Sequence, residues 1–186
     1  RKKMEINYKE EYSPIKQDIN KDGTLRDYNW GDMLFNYGAF PQTWENPHKQ
    51  SNFINKYGDN DPLDVIDIGD SKSNIGMVYK VKILGILGMI DQDELDWKVI
   101  AININDPIAN KLNSIDDINK YKPGVLSTIK EWFRVYKIVD GKDKNEFIFN
   151  EQYKDSSFAI KVINETHNEW LDNRELFNHS IMPIKN

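Results

Sequence analysis

Three segments in the first two-thirds of the chain combine β-branched residues with a partial alternation of apolar and polar positions. This pattern predicts β-strands over residues 65–68, 77–87 and 99–104. Gly88 and the polar stretch 91–96 interrupt the pattern and predict loops. Several short strands at close spacing favour a small antiparallel barrel over a parallel sheet.

The last third of the chain changes to a helical period. Apolar residues recur at steps of three and four within residues 125–138, which predicts a helix with one buried face. A second helix is expected to begin with a cap at Ser156 or Ser157. Its predicted buried face consists of Ile160, Ile163, His167 and Trp170. The expected fold is mainly β with flanking helices (α+β): a β-barrel with two C-terminal α-helices.

Composition narrows the class of protein. A chain of 186 residues can bury about 70% of its unfolded surface, so we expect residues 1–186 to form a single domain. Charged residues make up 30% of the chain, and no apolar run approaches the ~20 residues of a membrane-spanning helix, which argues against a membrane protein. The lack of cysteine excludes a disulfide scaffold, a thiolate zinc site and a thiol nucleophile. A net charge of -5 disfavours binding to a nucleic-acid backbone.

Carboxylates form the densest chemical signal. Asp59, Asp61 and Asp64 stand directly before a predicted buried strand, and Asp91 and Asp96 flank a later predicted loop. Because consecutive strand ends meet in a barrel, both groups are expected at one mouth. Two carboxylates about 4 Å apart repel by about 4 kcal/mol at an effective dielectric constant of about 20, and a hard cation such as Mg²⁺ offsets that cost. The alternative is a solvated acidic turn without a ligand.

Cations that could meet a phosphate are scattered along the chain. They are Lys3, Arg26, Lys98, Arg134 and Lys137. Each alone fits a surface charge, but Lys137 follows Tyr136 at the end of an apolar helical face, and Tyr37 stands beside a tight turn. Each tyrosine also fits a half-buried core residue. The three histidines form no metal-binding pair, and the sequence contains neither a phosphate-binding glycine loop nor a dinucleotide fingerprint.

Four ordered motifs carry a resemblance to a known family. They are YGAFPQTWE at residues 37–45, GDNDPLDV at 58–65, DWKVIA at 96–101 and WFRVYK at 132–137. In these motifs the chain resembles the soluble family I inorganic pyrophosphatases, in particular the eukaryotic branch, from about Lys3 to about Trp170. The resemblance implies a small closed five-stranded OB-like β-barrel, Mg²⁺ as cofactor and the hydrolysis of pyrophosphate to two phosphates. It also implies a homodimer and an N-terminal part of the domain that precedes this sequence. A cytoplasmic location is expected, with an organellar targeting segment in the preceding part as the alternative.

The resemblance assigns roles to residues at matching positions. The metal ligands are matched by Asp59, Asp64, Asp91, Asp96 and, as a supporting residue, Glu5. The catalytic and substrate-binding positions around the phosphates are matched by Lys3, Arg26, Tyr37, Tyr136, Lys137 and, in a supporting role, Lys98. Asp61 matches the carboxylate that takes a proton from the attacking water. Since phosphoryl transfer depends mostly on positioning and charge stabilisation, such a site needs no covalent nucleophile.

The chain departs from the family pattern in two places. A glutamate that precedes the matched Lys3 in the family has no counterpart in this sequence. The segment 27–36 is shorter than the family hairpin, and Met33 stands nearest to an expected tyrosine. The second hypothesis is therefore a non-catalytic module that binds divalent cations or phosphate on the same scaffold. A third, a nucleic-acid-binding OB barrel, needs a basic groove with stacking aromatic residues, which the net charge and the acidic mouth disfavour.

Overall fold

The computed structural model describes residues 2–7 and 14–177. The strands are β1 (Met4–Ile6), β2 (Ile15–Gln17), β3 (Asn36–Ala39), β4 (Asp64–Asp67), β5 (Val81–Asp91), β6 (Glu94–Asn103), β7 (Glu146–Phe147) and β8 (Lys154–Asp155). The α-helices are α1 (Ile115–Tyr121), α2 (Val125–Val135) and α3 (Ser156–Asp172), and short 3-10 helices lie at Ala109–Lys111, Ile138–Asp140, Phe149–Glu151 and Arg174–Phe177. In these ranges we find no helix with the length and apolar character needed to cross a membrane.

One mixed sheet organises the molecule. Its strands pair in the order β3-β4-β6-β5-β7, and β8 shares the edge of β5 with β7. Among the described pairs of this sheet, β4 and β6 run parallel and the others antiparallel. β1 and β2 form a separate hairpin. The expectation of a mainly β fold with flanking helices is confirmed. The described pairings do not join β3 to β7 or β8, so closure into a five-stranded barrel stays a prediction.

The β5–β6 hairpin corrects a predicted loop. The two strands pair up to their ends. Asp91 therefore lies in β5 and Asp96 in β6, and only a tight turn separates the strands. Gln92 and Asp93 make the turn with φ of 52° and 75°, the left-handed geometry that matches the twist of hairpin strands. The polar run at 91–96 therefore marks a two-residue turn rather than a loop.

The loop predicted at Gly88 was also wrong. Gly88 lies inside β5, where a Cβ atom would come within 2.5 Å of Ile148 and 2.8 Å of Trp97. Close packing across the sheet, and not a turn, therefore requires a glycine at this position. The strand predicted over residues 77–87 begins only at Val81.

The two predicted helices are present with different bounds. α2 follows Gly124 and ends at Val135, three residues before the predicted end. α3 is capped by Asp155, whose side chain accepts a hydrogen bond from the Phe158 N–H (2.8 Å), and not by Ser156 or Ser157. α1 was not predicted, because seven residues make too few turns to show a helical period.

The buried face of α3 differs by one position from the prediction. The buried residues are Ala159, Val162, Thr166 and Glu169, whereas Ile160 is 44% exposed. Thr166 and Glu169 are buried because hydrogen bonds satisfy them: Thr166 donates to the Val162 carbonyl (3.1 Å), and Glu169 accepts from Asn46 (2.9 Å). A pattern of apolar residues alone does not detect such a face.

Strands β5 and β6 separate two hydrophobic clusters. Successive side chains of β6 point to opposite faces of the sheet. Trp97 packs in the cluster on the α3 side, whereas Ile100 packs with Phe133 of α2. Asp96 and Lys98 share the alternation of Ile100 and therefore face α2, at the end of the sheet where β6 begins.

Candidate active site

Residues 58–61 form an acidic loop fixed to a neighbouring segment. The Glu45 N–H donates to the Asp61 carbonyl (2.9 Å). Gly58 is required by the close approach, because a Cβ atom there would lie 2.4 Å from the carbonyl carbon and oxygen of Glu45. Within the loop, the Asp61 N–H donates to Asp59 Oδ1 (3.0 Å). These contacts hold the loop in place ahead of β4.

Lys98 lies at the centre of the site and is 2% exposed. The parallel register of β4 and β6 places it opposite Asp64. Its Nζ donates to Asp64 Oδ2 (2.5 Å), to Asp96 and to the Tyr37 hydroxyl (3.0 Å), and that hydroxyl in turn donates to Asp64. Burial by itself lowers the pKa of Lys98, but the charges of Asp64 and Asp96 outweigh it and raise that pKa. The ammonium group therefore stays protonated.

Glu45 is a site residue that the sequence analysis did not identify. Its Oε1 accepts a hydrogen bond from the Trp97 N–H (2.9 Å), while its Oε2 is buried without a partner among the described residues. One oxygen each from Glu45, Asp59 and Asp96 lie within 4.8 Å of one another. The available signal was the position of Glu45 at the end of the first motif, but no sequence spacing tied it to the aspartates.

The crowding of carboxylates shifts their pKa values. Burial and the charge of Asp61 raise the pKa of Asp59 to about 7. Partial desolvation at the mouth of the site, together with the charge of Asp64, raises the pKa of Asp61 to about 6. Burial and the charge of Asp59 raise the pKa of Glu45. Each shift is the response expected of acidic groups gathered in a low-dielectric site.

A second part of the site forms where β5 ends. Lys137, just after α2, donates to Asp91 Oδ2, and the two side chains are 9% and 13% exposed. Asp91 Oδ1 is buried without a hydrogen-bond partner in the described part of the chain. Burial and the charge of Asp91 raise the pKa of Tyr136, whose other charged neighbours include Lys98 and Asp96. Its ring lies 5.5 Å from Lys137 Nζ, so Tyr136 belongs to this part of the site.

The β1–β2 hairpin and the segment after it supply a third group of charges. Lys3 Nζ and Arg26 Nη1 both donate to Asp18 Oδ2, at 2.7 and 2.9 Å. Burial and the charge of Asp18 raise the pKa of Glu5, which therefore belongs to this group. The charge of Lys3 partly offsets the rise in the pKa of Asp61. Asp18 was missed because a lone aspartate carries no signal in a sequence.

Two residues considered as candidates from the sequence lie outside the site, and one further cation near the site was not identified from the sequence. Arg134 forms a two-pronged ion pair with Glu151, with N–O distances of 2.9 and 2.7 Å. Met33 is 8% exposed and packs in the hydrophobic core, so it does not replace the tyrosine expected near its position. Burial and the charge of Lys137 lower the pKa of Lys142, which places this further cation beside the site.

The donor set fits a divalent cation. Glu45 Oε2 and Asp91 Oδ1 are buried carboxylate oxygens that lack a hydrogen-bond donor within the described ranges. A buried carboxylate oxygen without a partner is costly, and coordination to a hard cation offsets that cost. Asp59, Asp64 and Asp96 add oxygen ligands of the kind that Mg²⁺ and Ca²⁺ prefer.

Comparison with known proteins points to one family. The sequence profile of the inorganic pyrophosphatases matches residues 1–171. The chain is 51% identical to mitochondrial inorganic pyrophosphatase 2 of Mus musculus over 172 residues, which cover 90% of this chain and 52% of the mouse protein. Identity to the Homo sapiens inorganic pyrophosphatase is 49%, over 90% of this chain and 59% of the human protein. The chain thus spans little more than half the length of these relatives.

A solved structure agrees with the sequence comparison. An N-terminally truncated vacuolar soluble pyrophosphatase of Trypanosoma cruzi, in complex with PPi, superposes with a TM-score of 0.90 at 51% sequence identity. The match covers 94% of this chain and 66% of the trypanosomal chain.

Proposed function

Because the chain belongs to the inorganic pyrophosphatase family, we propose that it hydrolyses inorganic pyrophosphate to two orthophosphates with Mg²⁺ as cofactor. The observation that carries this proposal is the convergence of Glu45, Asp59 and Asp96 beside the buried Lys98. Such a cluster offers oxygen ligands for a metal and a cationic donor for phosphate within one site.

The carboxylates hold the metal ions. We assign Asp59, Asp64 and Asp96 as the principal ligands, with Asp91 and Glu5 as further members of the metal-binding set and Glu45 beside Asp59 and Asp96. Bound Mg²⁺ supplies a water of lowered pKa and neutralises charge on the phosphate oxygens. The unpartnered Oδ1 of Asp91 supports its assignment, because that oxygen is already oriented by the Lys137 contact at Oδ2.

Asp61 acts as the general base. It is exposed at the mouth of the site, where water can reach its carboxylate and pass a proton to it. Asp64 is less suited to this role because Lys98 and Tyr37 already occupy its oxygen Oδ2.

Cationic and phenolic side chains bind the two phosphates. Lys3 and Arg26 are held side by side by their shared partner Asp18, which places two cationic groups together for an anion. Tyr37, Tyr136, Lys98 and Lys137 complete the set. These groups stabilise the charge that develops on the leaving phosphate, and they require no covalent intermediate.

Phosphate release tests the proposal. The purified chain is incubated with pyrophosphate and Mg²⁺, with EDTA as the blank, and orthophosphate is measured. Turnover that depends on Mg²⁺ supports the enzyme. Binding of Mg²⁺ and pyrophosphate without turnover would favour the second hypothesis, a non-catalytic module, which the short segment 27–36 and the buried Met33 favour.

Three finer features belong to the same proposal. We propose that the sheet closes into an OB-like barrel, which the irregularity between Ile83 and Gly85 supports because a bulge bends a strand.

We propose a homodimer, which the side chain of Trp30 supports because it is 49% exposed and could form an aromatic contact with a second copy. Light scattering of the protein as it elutes from a size-exclusion column tests this. We propose a cytoplasmic location, and cell fractionation distinguishes it from the mitochondrial location that the name of the mouse relative records.

A further inference from the structure

Lys98 makes more contacts with the metal-ligand set than a phosphate-binding lysine needs. An ammonium group has three N–H donors. Those of Lys98 have three acceptors: Asp64 Oδ2 at 2.5 Å, Asp96, and the Tyr37 hydroxyl at 3.0 Å. With all three engaged, Lys98 has no donor left for a phosphate oxygen.

The surroundings fix the ammonium group in this position. The aromatic rings of Phe133 and Tyr37 lie 5.2 and 5.5 Å from Nζ, and the side chain is 2% exposed. The side chains of Asp64 and Asp96 are themselves 18% and 7% exposed, so this contact is nearly dry. An ion pair at low dielectric is far stronger than one at the surface, and breaking it requires a substitute charge.

We propose that Lys98 is an internal counter-cation that competes with Mg²⁺ for the oxygens of Asp64 and Asp96. In the metal-free protein its ammonium group neutralises these carboxylates. When a divalent cation takes the same oxygens, the N–H donors of Lys98 become free to bind phosphate. Lys98 thereby couples the filling of the metal site to the readiness of the substrate site. This inference rests on the proposed metal-dependent function.

Lys137 provides a matched comparison within the same site. Its side chain is 9% exposed, and it contacts Oδ2 of Asp91 alone, while Oδ1 of Asp91 has no partner in the described part of the chain. A cation can therefore bind Asp91 without displacing Lys137. Both lysines carry one buried positive charge, but only Lys98 bridges two of the principal metal ligands.

Calorimetric titration of Mg²⁺ without substrate tests the inference. Lys98→Met is expected to tighten Mg²⁺ binding by about tenfold or more, whereas Lys137→Met changes it by less than about threefold. In EDTA, Lys98→Met should melt below the wild type, and saturating Mg²⁺ should narrow the gap. Should the Met variant not fold, Lys98→Gln retains hydrogen-bond donors without the charge and is measured instead.

The outcomes separate the inference from the proposed function. Equal tightening in the Lys98 and Lys137 variants would show that Lys98 acts only as a nearby charge and would overturn the competition. Weaker Mg²⁺ binding in the Lys98 variant would also overturn it, since Lys98 would then support the metal site. If the wild type binds no Mg²⁺, the proposed function fails and the inference fails with it.

Discussion

Asp61 and Asp64 lie three positions apart and have different surroundings. Asp64 Oδ2 accepts hydrogen bonds from Lys98 and Tyr37, at the buried centre of the site. Asp61 is exposed at its mouth. The two carboxylates therefore offer the same chemical group for two uses, a ligand held at low dielectric and a base within reach of water.

Neutral substitutions of these two residues should separate the roles. Asp61→Asn is expected to leave most metal binding intact and to lower kcat by roughly 10²–10⁴, the usual effect of losing a positioned proton acceptor. Asp64→Asn is expected to weaken Mg²⁺ binding, because it removes a charged oxygen ligand. Mass action can refill a weakened metal site but cannot replace a base, so excess Mg²⁺ should restore activity mainly in the Asp64 variant.

Turnover of both variants, measured over a range of Mg²⁺ concentrations, checks this prediction, and calorimetry measures Mg²⁺ binding directly. Equal rescue of both variants would make Asp61 a ligand.

Lys137→Ala should act on the substrate rather than on the principal metal site. Its ammonium group contacts Asp91 and none of Asp59, Asp64 and Asp96 among the described contacts. We expect weaker pyrophosphate binding and a slower chemical step, with Mg²⁺ affinity nearly unchanged. Steady-state kinetics at saturating Mg²⁺ measure the first two, and a Mg²⁺ titration measures the third. Unaltered kinetic constants would mean that Lys137 only pairs with Asp91 and takes no part in binding the substrate.

Only some of the site residues could be found from the sequence. Aspartates that stand close in sequence were found, because spacing along one loop limits how far apart they can lie. Glu45 and Asp18 were not found. Glu45 is held beside the aspartates by a hydrogen bond from Trp97 on β6, and Asp18 pairs with Arg26, eight residues further along the chain. Such pairings are made by tertiary structure, which no local pattern records.

At the scale of elements, strands and helices were predicted better than their ends. α2 follows a periodic apolar pattern, and β6 was found from its β-branched residues, although it begins at Glu94 rather than at Val99. The β5–β6 turn was read as a loop because polar residues mark a two-residue turn and a longer loop alike. The consequence is functional, since a tight hairpin places Asp91 and Asp96 on neighbouring strands rather than on a flexible segment.

The acidic loop depends on one glycine contact. In Gly58→Ala the new Cβ atom would meet the backbone of Glu45 at 2.4 Å, and a backbone cannot give way as a flexible side chain can. We expect a loss of about 1–3 kcal/mol in the free energy of unfolding, typical of overpacking, together with weaker Mg²⁺ binding because Asp59 must shift. Denaturant unfolding and Mg²⁺ titration measure the two effects.

Gly38→Ala is the matched control for this substitution. Gly38 also lies in the site region, on β3, but a Cβ atom there would meet Val65 at an ordinary distance of 3.8 Å. Its stability should stay close to that of the wild type. Equal losses in both variants would mean that any alanine is harmful here and that the Gly58 contact has no special role.

At the scale of the whole molecule, one mixed sheet brings Tyr37, Asp64, Asp91, Asp96 and Lys98 onto paired strands. The sequence predicted the mainly β class and the helices that cover it, because these depend on local periodicity. The path of the sheet was not predictable in the same way. The parallel pairing of β4 with β6, which sets Asp64 opposite Lys98, joins segments more than thirty residues apart. The packing of the core, and not a local sequence pattern, determines this pairing.

The repulsion stored in this region should make the stability of the molecule depend on metal. Carboxylates gathered around Asp59 oppose folding, and a ligand that binds only the folded state adds RT ln(1 + [L]/Kd), about 2.7 kcal/mol at about a hundredfold excess over Kd. We expect Mg²⁺ to raise the Tm of the substrate-free protein, and Asp96→Asn to reduce that rise because it removes a ligand oxygen. Differential scanning calorimetry measures both, with NaCl at matched ionic strength as the control for simple screening. A Tm that millimolar Mg²⁺ leaves unchanged would mean that the aspartates do not form a metal site, and an equal rise with NaCl would assign the effect to screening.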